Sequence, residues 1–284
     1  MSTARMLITG GSGYLGRWVA ELARDEWDVT ATYGRMPGEL DGVEWRALDV
    51  RDGAAVATLI EDVTPDVVVH TAALNPGQGN DFEGVNVTGT ANIAAAAAHE
   101  RSRLVHVSTD IVFDGQRGNY GEHDEPHPLN DYGRSKAAAE RAIADSGAEA
   151  VVVRTSLIYG WRPTVARAAQ WMIDALRRGE TIRLWSDEMR CPIWVESLAA
   201  ALVELAGHEY TGPLHVAGSE PLSRYEFGVA LLRFHGVDPG PVSAEPLPGD
   251  RQRPRDCTLD ISRAVDLLDT PLPGVTEVLA GHRR

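Results

Sequence analysis

A glycine-rich turn between the first predicted strand and the first predicted helix constrains the fold more than any other feature. The segment MLITGGSGYLGRWVAEL places Gly10, Gly13 and Gly16 in a GxxGxxG spacing directly after an apolar run. Gly10 permits a tight turn, Gly13 lets the backbone approach a pyrophosphate at a helix N-terminus, and Gly16 allows close helix–strand packing. This placement predicts a dinucleotide-binding site to which Tyr14 and Leu15 also contribute.

Short β-branched runs alternate with alanine-rich helical patterns through the first half of the chain. VVVH and AVVVRT are continuous apolar runs, as expected for parallel strands that are buried on both faces. The alternation predicts an α/β fold with a Rossmann-like, doubly wound parallel sheet. The predicted strands are Arg5–Thr9, Asp28–Tyr33, Val43–Ala47, Val67–Thr71, Leu104–Ser108 and Ala150–Thr155.

The regular alternation ends near residue 155, and the last 65 residues are rich in proline and glycine. We therefore expect residues 1–155 to form an NAD(P)-binding Rossmann domain. Residues 156–284 are expected to form mainly a smaller C-terminal substrate-binding lobe, with a segment at about 193–217 returning to the first domain.

Charge and composition exclude several classes of protein. The net charge of −14 argues against nucleic-acid binding. No apolar run is long enough to span a bilayer, and the N-terminus lacks a basic segment followed by an apolar one. The two cysteines and nine histidines lack metal-ligand spacing, so we expect a cytoplasmic protein with free thiols and no metal site.

The end of the second strand bears on the choice of cofactor. An acidic residue there bonds the ribose 2′-hydroxyl in NAD-selective sites. This chain instead reads Ala-Thr-Tyr-Gly-Arg, so Arg35, with Arg17 as a second candidate, is available for a 2′-phosphate. The sequence favours NADP(H) over NAD(H), and NAD(H) remains open. Further predicted cofactor contacts follow the third and fourth strands at Asp49, Val50, Thr71, Ala72 and Ala73.

Tyr132 and Lys136 form the candidate catalytic pair. Lys136 is the single lysine of the chain, whereas the other 26 basic residues are arginine. The two residues are four apart on a predicted helix and so lie on one face. An ammonium favours the phenolate form of a nearby tyrosine and lowers the pKa of its hydroxyl. Arginine would hold a different geometry, so the retained lysine predicts an acid–base tyrosine.

Ser108, Thr109 and Asp110 follow the fifth predicted strand in VHVSTDIVFDG. Ligands lie at the carboxyl ends of strands in such sheets. A hydroxyl at this place can bond a substrate oxygen and orient the tyrosine. We assign Thr109 to the catalytic group and Ser108 to the cofactor site.

Four segments carry a resemblance to a known family: STDIVFDG, EPHPLNDYGRSKAAAE, RTSLIYG and RPRDCTLDISRA. They resemble successive motifs of the extended short-chain dehydrogenase/reductase superfamily and, within it, of the dTDP-4-dehydrorhamnose reductase family. The resemblance runs from about residue 5 to residue 265. It implies hydride transfer from a nicotinamide, NADPH by preference, to a nucleoside-diphosphate 4-keto-6-deoxy sugar.

The resemblance also implies roles for individual residues. Tyr132 would protonate the nascent alkoxide, and Lys136 would bind the nicotinamide ribose and lower the pKa of the tyrosine. The implied substrate contacts are Thr109, Asp110, Leu157 and Arg253, with Arg253 near the diphosphate. Thr155 joins the implied cofactor contacts. Dimers are common in the superfamily, so a homodimer is possible.

Two departures from the family pattern lie where the sugar is expected to bind. HTAALNPGQGNDFEGVN lacks a Val-Asp-x-Ala-Glu run, and Leu157 stands where the rhamnose-pathway enzyme has a tryptophan. The resemblance therefore leaves the identity of the sugar open. A dehydratase would carry glutamate after the Thr-Asp pair, where this chain has Ile111. An epimerase with tightly bound NAD and a non-catalytic subunit resembling the methionine adenosyltransferase β subunit remain alternatives.

Overall fold

The computed structural model describes residues 3–162, 167–249 and 252–282, without the side chains of residues 167 and 168. A π-helical turn at Glu83–Thr88 leads directly into the third helix, and a 3₁₀ turn occupies Asp110–Val112. No helix within these ranges is long and apolar enough to cross a membrane. The α-helices are α1 Tyr14–Ala23, α2 Gly53–Val63, α3 Gly89–Glu100, α4 Asp131–Ser146, α5 Arg167–Arg177, α6 Val195–Ala206, α7 Arg224–Phe234, α8 Ser262–Leu267 and α9 Val275–Gly281.

A seven-stranded sheet forms the centre of the fold. Its strands are β1 Arg5–Thr9, β2 Asp28–Tyr33, β3 Val43–Ala47, β4 Val67–His70, β5 Arg103–Thr109, β6 Ala150–Thr155 and β11 Gly212–His215. They lie in the order β11-β6-β5-β4-β1-β2-β3, and the pairings from β5 across to β3 are parallel. The predicted doubly wound α/β sheet is confirmed, and the six predicted strands differ from β1–β6 by at most one residue at an end.

The remaining strands are short and form three two-stranded pairs. Their bounds are β7 Ile158–Tyr159, β8 Ile182–Trp185, β9 Met189–Arg190, β10 Ile193–Trp194, β12 Leu222–Ser223 and β13 Val242–Glu245. β10 pairs with β7, β12 with β9, and β13 with β8.

The chain divides into two compact units, each built from three segments. Unit 1 comprises residues 1–109, 131–153 and 199–214, and unit 2 comprises residues 110–130, 154–198 and 215–284. The sequence-based division at residue 155 assigned residues 110–130 to the first domain. In the structure the backbone of Tyr120 in this segment hydrogen bonds with Thr258 and Asp260, at 2.9 and 2.8 Å, which ties it to the C-terminal part of unit 2.

Each unit has its own apolar core. In unit 1, side chains of the sheet and of α2 and α3 pack together, among them Leu7, Ile60, Val68, Ile93 and Leu104. In unit 2, a separate cluster joins α5, α7 and α9 and includes Met172, Phe227, Leu231 and Val278.

Candidate active site

The turn between β1 and α1 has no room for a side chain at Gly10 or at Gly16. Gly10 has φ +71°, and a Cβ there would lie 2.7 Å from the backbone of Ala72. A Cβ at Gly16 would lie 2.4 Å from the Gly10 carbonyl oxygen. The Gly10 amide donates to Thr32 Oγ1 at 3.1 Å, and the Gly13 amide donates to the Gly10 carbonyl at 2.9 Å. The turn is therefore fixed in a shape that keeps its backbone open to a ligand.

The N-terminus of α1 fits a pyrophosphate. The helix begins after Gly13, which caps it without a side-chain hydrogen bond, and its first turn contains no acidic residue. Amides of a first helical turn have no intrahelical acceptor and carry partial positive charge, so they attract an anion. Tyr14 and Leu15 supply this first turn. The residues present thus suit the dinucleotide that the glycine spacing predicts.

The strand ends beside this turn carry the other predicted cofactor contacts. Thr71, after β4, donates its hydroxyl to the Thr9 carbonyl at 2.8 Å. Ala72 approaches Gly10 as described above, and Ala73 follows it. After β3, Val50 is buried, and the exposed Asp49 carboxylate is paired with Arg51 at 2.6 Å. The Asp49 side chain therefore already has a charged partner.

A cavity of about 360 Å³ lies beside α1, and its lining includes Trp45 and five charged residues, Arg17, Arg24, Glu21, Glu39 and Asp41. The Nε atom of Arg17 and the indole nitrogen of Trp45 are buried and lack a hydrogen-bond partner among the described residues. Buried polar atoms are normally satisfied, so these two donors stand out as unsatisfied groups among the described residues. Arg35, on the loop after β2, is exposed.

Lys136 is almost completely buried, with 2% of its surface exposed. It lies one turn after Tyr132 on α4. Its ammonium nitrogen is 3.1 Å from Nε2 of His106, a residue of β5 with no exposed surface. Burial lowers the pKa of Lys136 to about 8, against a smaller opposing effect of Glu140. Tyr132 and its candidate cation thus share one helix.

A second contact joins the same face of α4 to β5. Ser108, two residues after His106, donates its hydroxyl to the Glu140 carboxylate, and Glu140 follows Lys136 by one turn. Residues two apart on a strand, and four apart on a helix, lie on one face. Both members of this contact are buried. The Ser108 hydroxyl is therefore engaged within unit 1.

The half-buried Tyr132 faces the segment that follows β4. Its hydroxyl lies 3.4 Å from the Asn75 amide oxygen, which is long for an O–H···O hydrogen bond. Its ring stands edge-on to Phe82, with the centroids 6.0 Å apart. Asn86, in the π-helical turn, donates to Ser135 on α4 at 3.0 Å. Asn75 and Phe82 thus contact the tyrosine, and Asn86 connects the segment that follows β4 to α4.

The predicted substrate residues other than Thr109 lie in unit 2. Asp110 is buried, accepts a hydrogen bond from Ser156 at 2.6 Å and lies 3.6 Å from Arg190 Nε. Arg253 is partly exposed and is paired with the buried carboxylate of Glu188 at 2.8 Å.

Three other predicted residues are buried or half-buried. Thr109 ends β5 and is buried. Leu157 is half-buried, and its carbonyl accepts from the Ile193 amide at 2.9 Å. Thr155 Oγ1 is buried and lacks a hydrogen-bond partner within the described ranges.

Sequence reasoning did not single out Asn75, His106 or Glu140. Sequence periodicity could have indicated two of them. Glu140 continues the Tyr132–Lys136 face of the helix, and His106 lies on the same strand face as Ser108. Asn75 lies on an irregular loop, where no periodicity points to a neighbour.

The motif order and this geometry agree with a match to a known family. The family model described as the RmlD substrate binding domain matches residues 4–281 of the chain. The chain belongs to the RmlD family. The resemblance inferred from the sequence is therefore confirmed.

Relatives within the RmlD family carry more than one kind of name. The chain is 31% identical to a dTDP-4-keto-6-deoxy-D-glucose reductase of Streptomyces niveus, over 89% of this chain and 87% of the relative. It is also 31% identical to methionine adenosyltransferase 2 subunit beta of Xenopus laevis, over 91% and 81% of the two chains. A dTDP-4-dehydrorhamnose reductase of Bacillus anthracis, solved with NADP, has a TM-score of 0.81 at 25% identity and covers 98% and 97% of the two chains.

Proposed function

We propose that the protein is an NADPH-dependent reductase of a nucleoside-diphosphate 4-keto-6-deoxy sugar. The observation that carries the proposal is the Tyr132–Lys136 pair on α4, in which the lysine is buried. The chain that carries this pair belongs to the RmlD family. The named reductases among its relatives support a sugar-nucleotide substrate and a nicotinamide cofactor.

The reaction divides into a hydride step and a proton step. If bound at the turn before α1, a reduced nicotinamide would supply a hydride to the carbonyl carbon of the sugar and would itself be oxidised. As that carbon–hydrogen bond forms, the π electron pair of the carbonyl moves onto its oxygen. Tyr132 gives its phenolic proton to this oxygen, and the Lys136 ammonium stabilises the phenolate that remains. The Thr109 hydroxyl holds the same oxygen in place.

The preference for NADPH rests on the surroundings of α1 and β2. No acidic residue stands at the end of β2, where NAD-selective sites place one. The Nε atom of Arg17 is buried without a partner among the described residues, and Arg35 is exposed two residues after the end of β2. We assign the binding of the 2′-phosphate to these two guanidinium groups. A guanidinium can donate two parallel hydrogen bonds to a phosphate, and such charged hydrogen bonds are strong.

Recognition of the sugar nucleotide is assigned to residues of the resemblance. Asp110 contacts the sugar, and its orientation is supported by the bonds from Ser156 and Arg190. Leu157 packs against the sugar in place of a tryptophan. Arg253 contacts the diphosphate, which then competes with Glu188 for the guanidinium.

Steady-state reduction of dTDP-4-dehydro-6-deoxyglucose by purified protein tests the proposal, with NADPH and NADH compared by the loss of reduced-nicotinamide absorbance. We expect turnover with NADPH and a lower kcat/KM with NADH. The Arg17→Gln and Arg35→Gln variants should reduce that preference, mainly by raising the KM for NADPH. Binding of NADPH without oxidation would instead support the subunit alternative, and isomerised sugar with unchanged cofactor would support the epimerase.

A further inference from the structure

The interior of unit 1 contains a group of three basic residues that the proposed reaction uses only in part. Lys136, His106 and His70 are all buried, and His70 and His106 are register partners on β4 and β5 with their rings 5.1 Å apart. We propose that His106 is a positioning residue for Lys136. Its Nε2 accepts a hydrogen bond from the ammonium and keeps that group charged and fixed inside unit 1.

The direction of the hydrogen bond follows from the donors available. A lysine ammonium has three donors and no acceptor, so the nitrogen of His106 that it meets must carry a lone pair. The imidazole is therefore neutral, with its proton on Nδ1. That second nitrogen is buried and has no partner among the described residues. Nδ1 of His106 therefore makes no hydrogen bond among the described residues, while Nε2 accepts one from Lys136.

His70 does not compete for Lys136. Its Nδ1 lies 2.5 Å from the Thr9 hydroxyl, and its Nε2 lies 3.1 Å from the Thr90 hydroxyl on α3. Both ring nitrogens are therefore already engaged. Burial, followed by the charge of Lys136, lowers the pKa of His70 to about 3 and holds the pKa of His106 well below its usual range.

Most of the other ionisable side chains on α4 are exposed, namely Asp131, Arg134, Arg141 and Asp145. On the helix itself, Glu140 favours the charged lysine, and Tyr132 lies one turn earlier. β5 contributes His106 and β4 contributes His70. On the π-helical turn and α3, which also pack against α4, Glu83 and His99 are exposed. His106 contacts the ammonium nitrogen at 3.1 Å, and that contact offsets the burial of the charge.

The single lysine of the chain makes this inference directly measurable. Protein labelled with ¹³C or ¹⁵N lysine gives one side-chain resonance, whose shift with pH reports the pKa of Lys136 without substrate or cofactor. Replacement of His106 by leucine removes the acceptor. We expect the pKa of Lys136 to fall by about one pH unit or more, since a hydrogen bond to the charged form is lost.

His70→Leu is the matched control, because it makes the same change at the paired position, with equal burial and without removing a contact of the lysine nitrogen. We expect it to leave the titration of Lys136 within about 0.3 units of the wild type, since His70 makes no bond to the ammonium. His106→Gln, whose amide oxygen is an acceptor, should restore most of the shift. Equal shifts in the two leucine variants, or none in His106→Leu, would overturn the inference.

A measurement on the wild-type protein covers the case in which His106→Leu does not fold. Long-range ¹H–¹⁵N correlation of labelled histidine, assigned through the backbone, identifies the tautomer. We expect His106 to be protonated on Nδ1 and not to titrate between about pH 5 and 8. A proton on Nε2, or a titrating ring, would contradict the assignment.

The consequence for turnover rests on the proposed function. If Lys136 must be charged for catalysis, the alkaline limb of the kcat/KM profile should move to lower pH in His106→Leu by the shift measured for the lysine, and not in His70→Leu. A lysine shift without a matching change in the rate profile would leave the role of His106 intact and count against the catalytic role of Lys136.

Discussion

A charged side chain held out of water costs a folded protein stability, and Lys136, with 2% of its surface exposed, is such a side chain in unit 1. The pKa of this lysine is about 8 in the folded chain, against a usual value of 10.5. Between these pH values the unfolded chain binds more protons, so stability rises with pH through this window and the full cost is present below about pH 8. The difference corresponds to about 3 kcal/mol.

Lys136→Met should therefore stabilise the protein while it removes activity. We expect a gain of about 1–2 kcal/mol in unfolding free energy at pH 7, because the loss of the partner of His106 offsets part of the burial cost. Urea unfolding at pH 7 and at pH 10 measures this gain, which should shrink at the higher pH. A variant that is less stable than the wild type at pH 7 would contradict the cost assigned to the lysine.

Lys136→Arg keeps the charge and tests the geometry. The planar guanidinium is larger than an ammonium and cannot occupy the same place against His106. We expect kcat to fall by about a hundredfold or more while NADPH binding weakens less, since the loss is mainly in the transition state. Steady-state rates and cofactor fluorescence separate the two effects. Wild-type turnover by this variant would show that catalysis needs a positive charge at position 136 but not the geometry of a lysine.

The spacing of Tyr132 and Lys136 predicted their common helix, since that relation is local in sequence. The contact of Lys136 with His106 could not be read in the same way, because it joins residues 30 apart. Nor could the sequence indicate that Arg253 is paired with Glu188, since 65 positions separate them. Local periodicity places side chains on faces, and tertiary packing decides what those faces meet.

At the scale of elements, the turn between β1 and α1 is the feature that the sequence specified most fully. Its glycines are required by contacts that the structure makes explicit, and the strand bounds followed from apolar runs of the right length. The π-helical turn at Glu83–Thr88 had no such signal. It depends on Asn86, whose side chain bonds the backbone of Leu74 and the hydroxyl of Ser135.

Gly16→Ala should disrupt this turn. Its Cβ would lie 2.4 Å from the Gly10 carbonyl oxygen and 2.8 Å from the Gly11 Cα, so backbone must move. We expect a loss of at least tenfold in NADPH affinity and about 1–3 kcal/mol of stability. Calorimetric binding and thermal unfolding measure the two effects.

Gly207→Ala is the control for this substitution, because the nearest atom to its Cβ would be 3.8 Å away. It should leave both measurements near the wild-type values. Equal behaviour of the two variants would show that the close approach at Gly16 does not fix the turn.

At the scale of the whole molecule, the two units interleave along the chain. The sequence predicts a return to the first domain at about residues 193–217, but it does not predict that residues 110–130 leave that domain. Residues 110–130 follow β5 directly, and nothing in their composition distinguishes them from a connection within the first domain. Their assignment to unit 2 depends on backbone pairing with residues near 258–260, a relation that periodicity does not encode.

The buried histidines predict the response of the molecule to acid. His70 has its pKa lowered to about 3, and that of His106 lies well below 6.5, so both are neutral when folded and take up protons when unfolded. Stability is fully present above about pH 6.5 and is lost as the pH falls. We expect each of these histidines to lower the free energy of unfolding by about 1.4 kcal/mol for each pH unit below about pH 6.

Urea unfolding between pH 7 and pH 5 measures this dependence of the unfolding free energy on pH. His70→Leu should reduce the slope by the contribution of one histidine, whatever the variant does to absolute stability. An unchanged slope in this variant would contradict the neutral, buried state assigned to His70.

The measurement that tests the central claim most directly is a single turnover with NADPH deuterated at the transferred position of its nicotinamide. The wild-type protein should convert dTDP-4-dehydro-6-deoxyglucose to a reduced sugar that carries one deuterium, as found by mass spectrometry of the product. Tyr132→Phe, with NADPH binding retained, should form no labelled product within the same time, because the alkoxide lacks its proton donor. Labelled sugar from Tyr132→Phe at the wild-type rate, or unlabelled product from the wild type, would contradict the account.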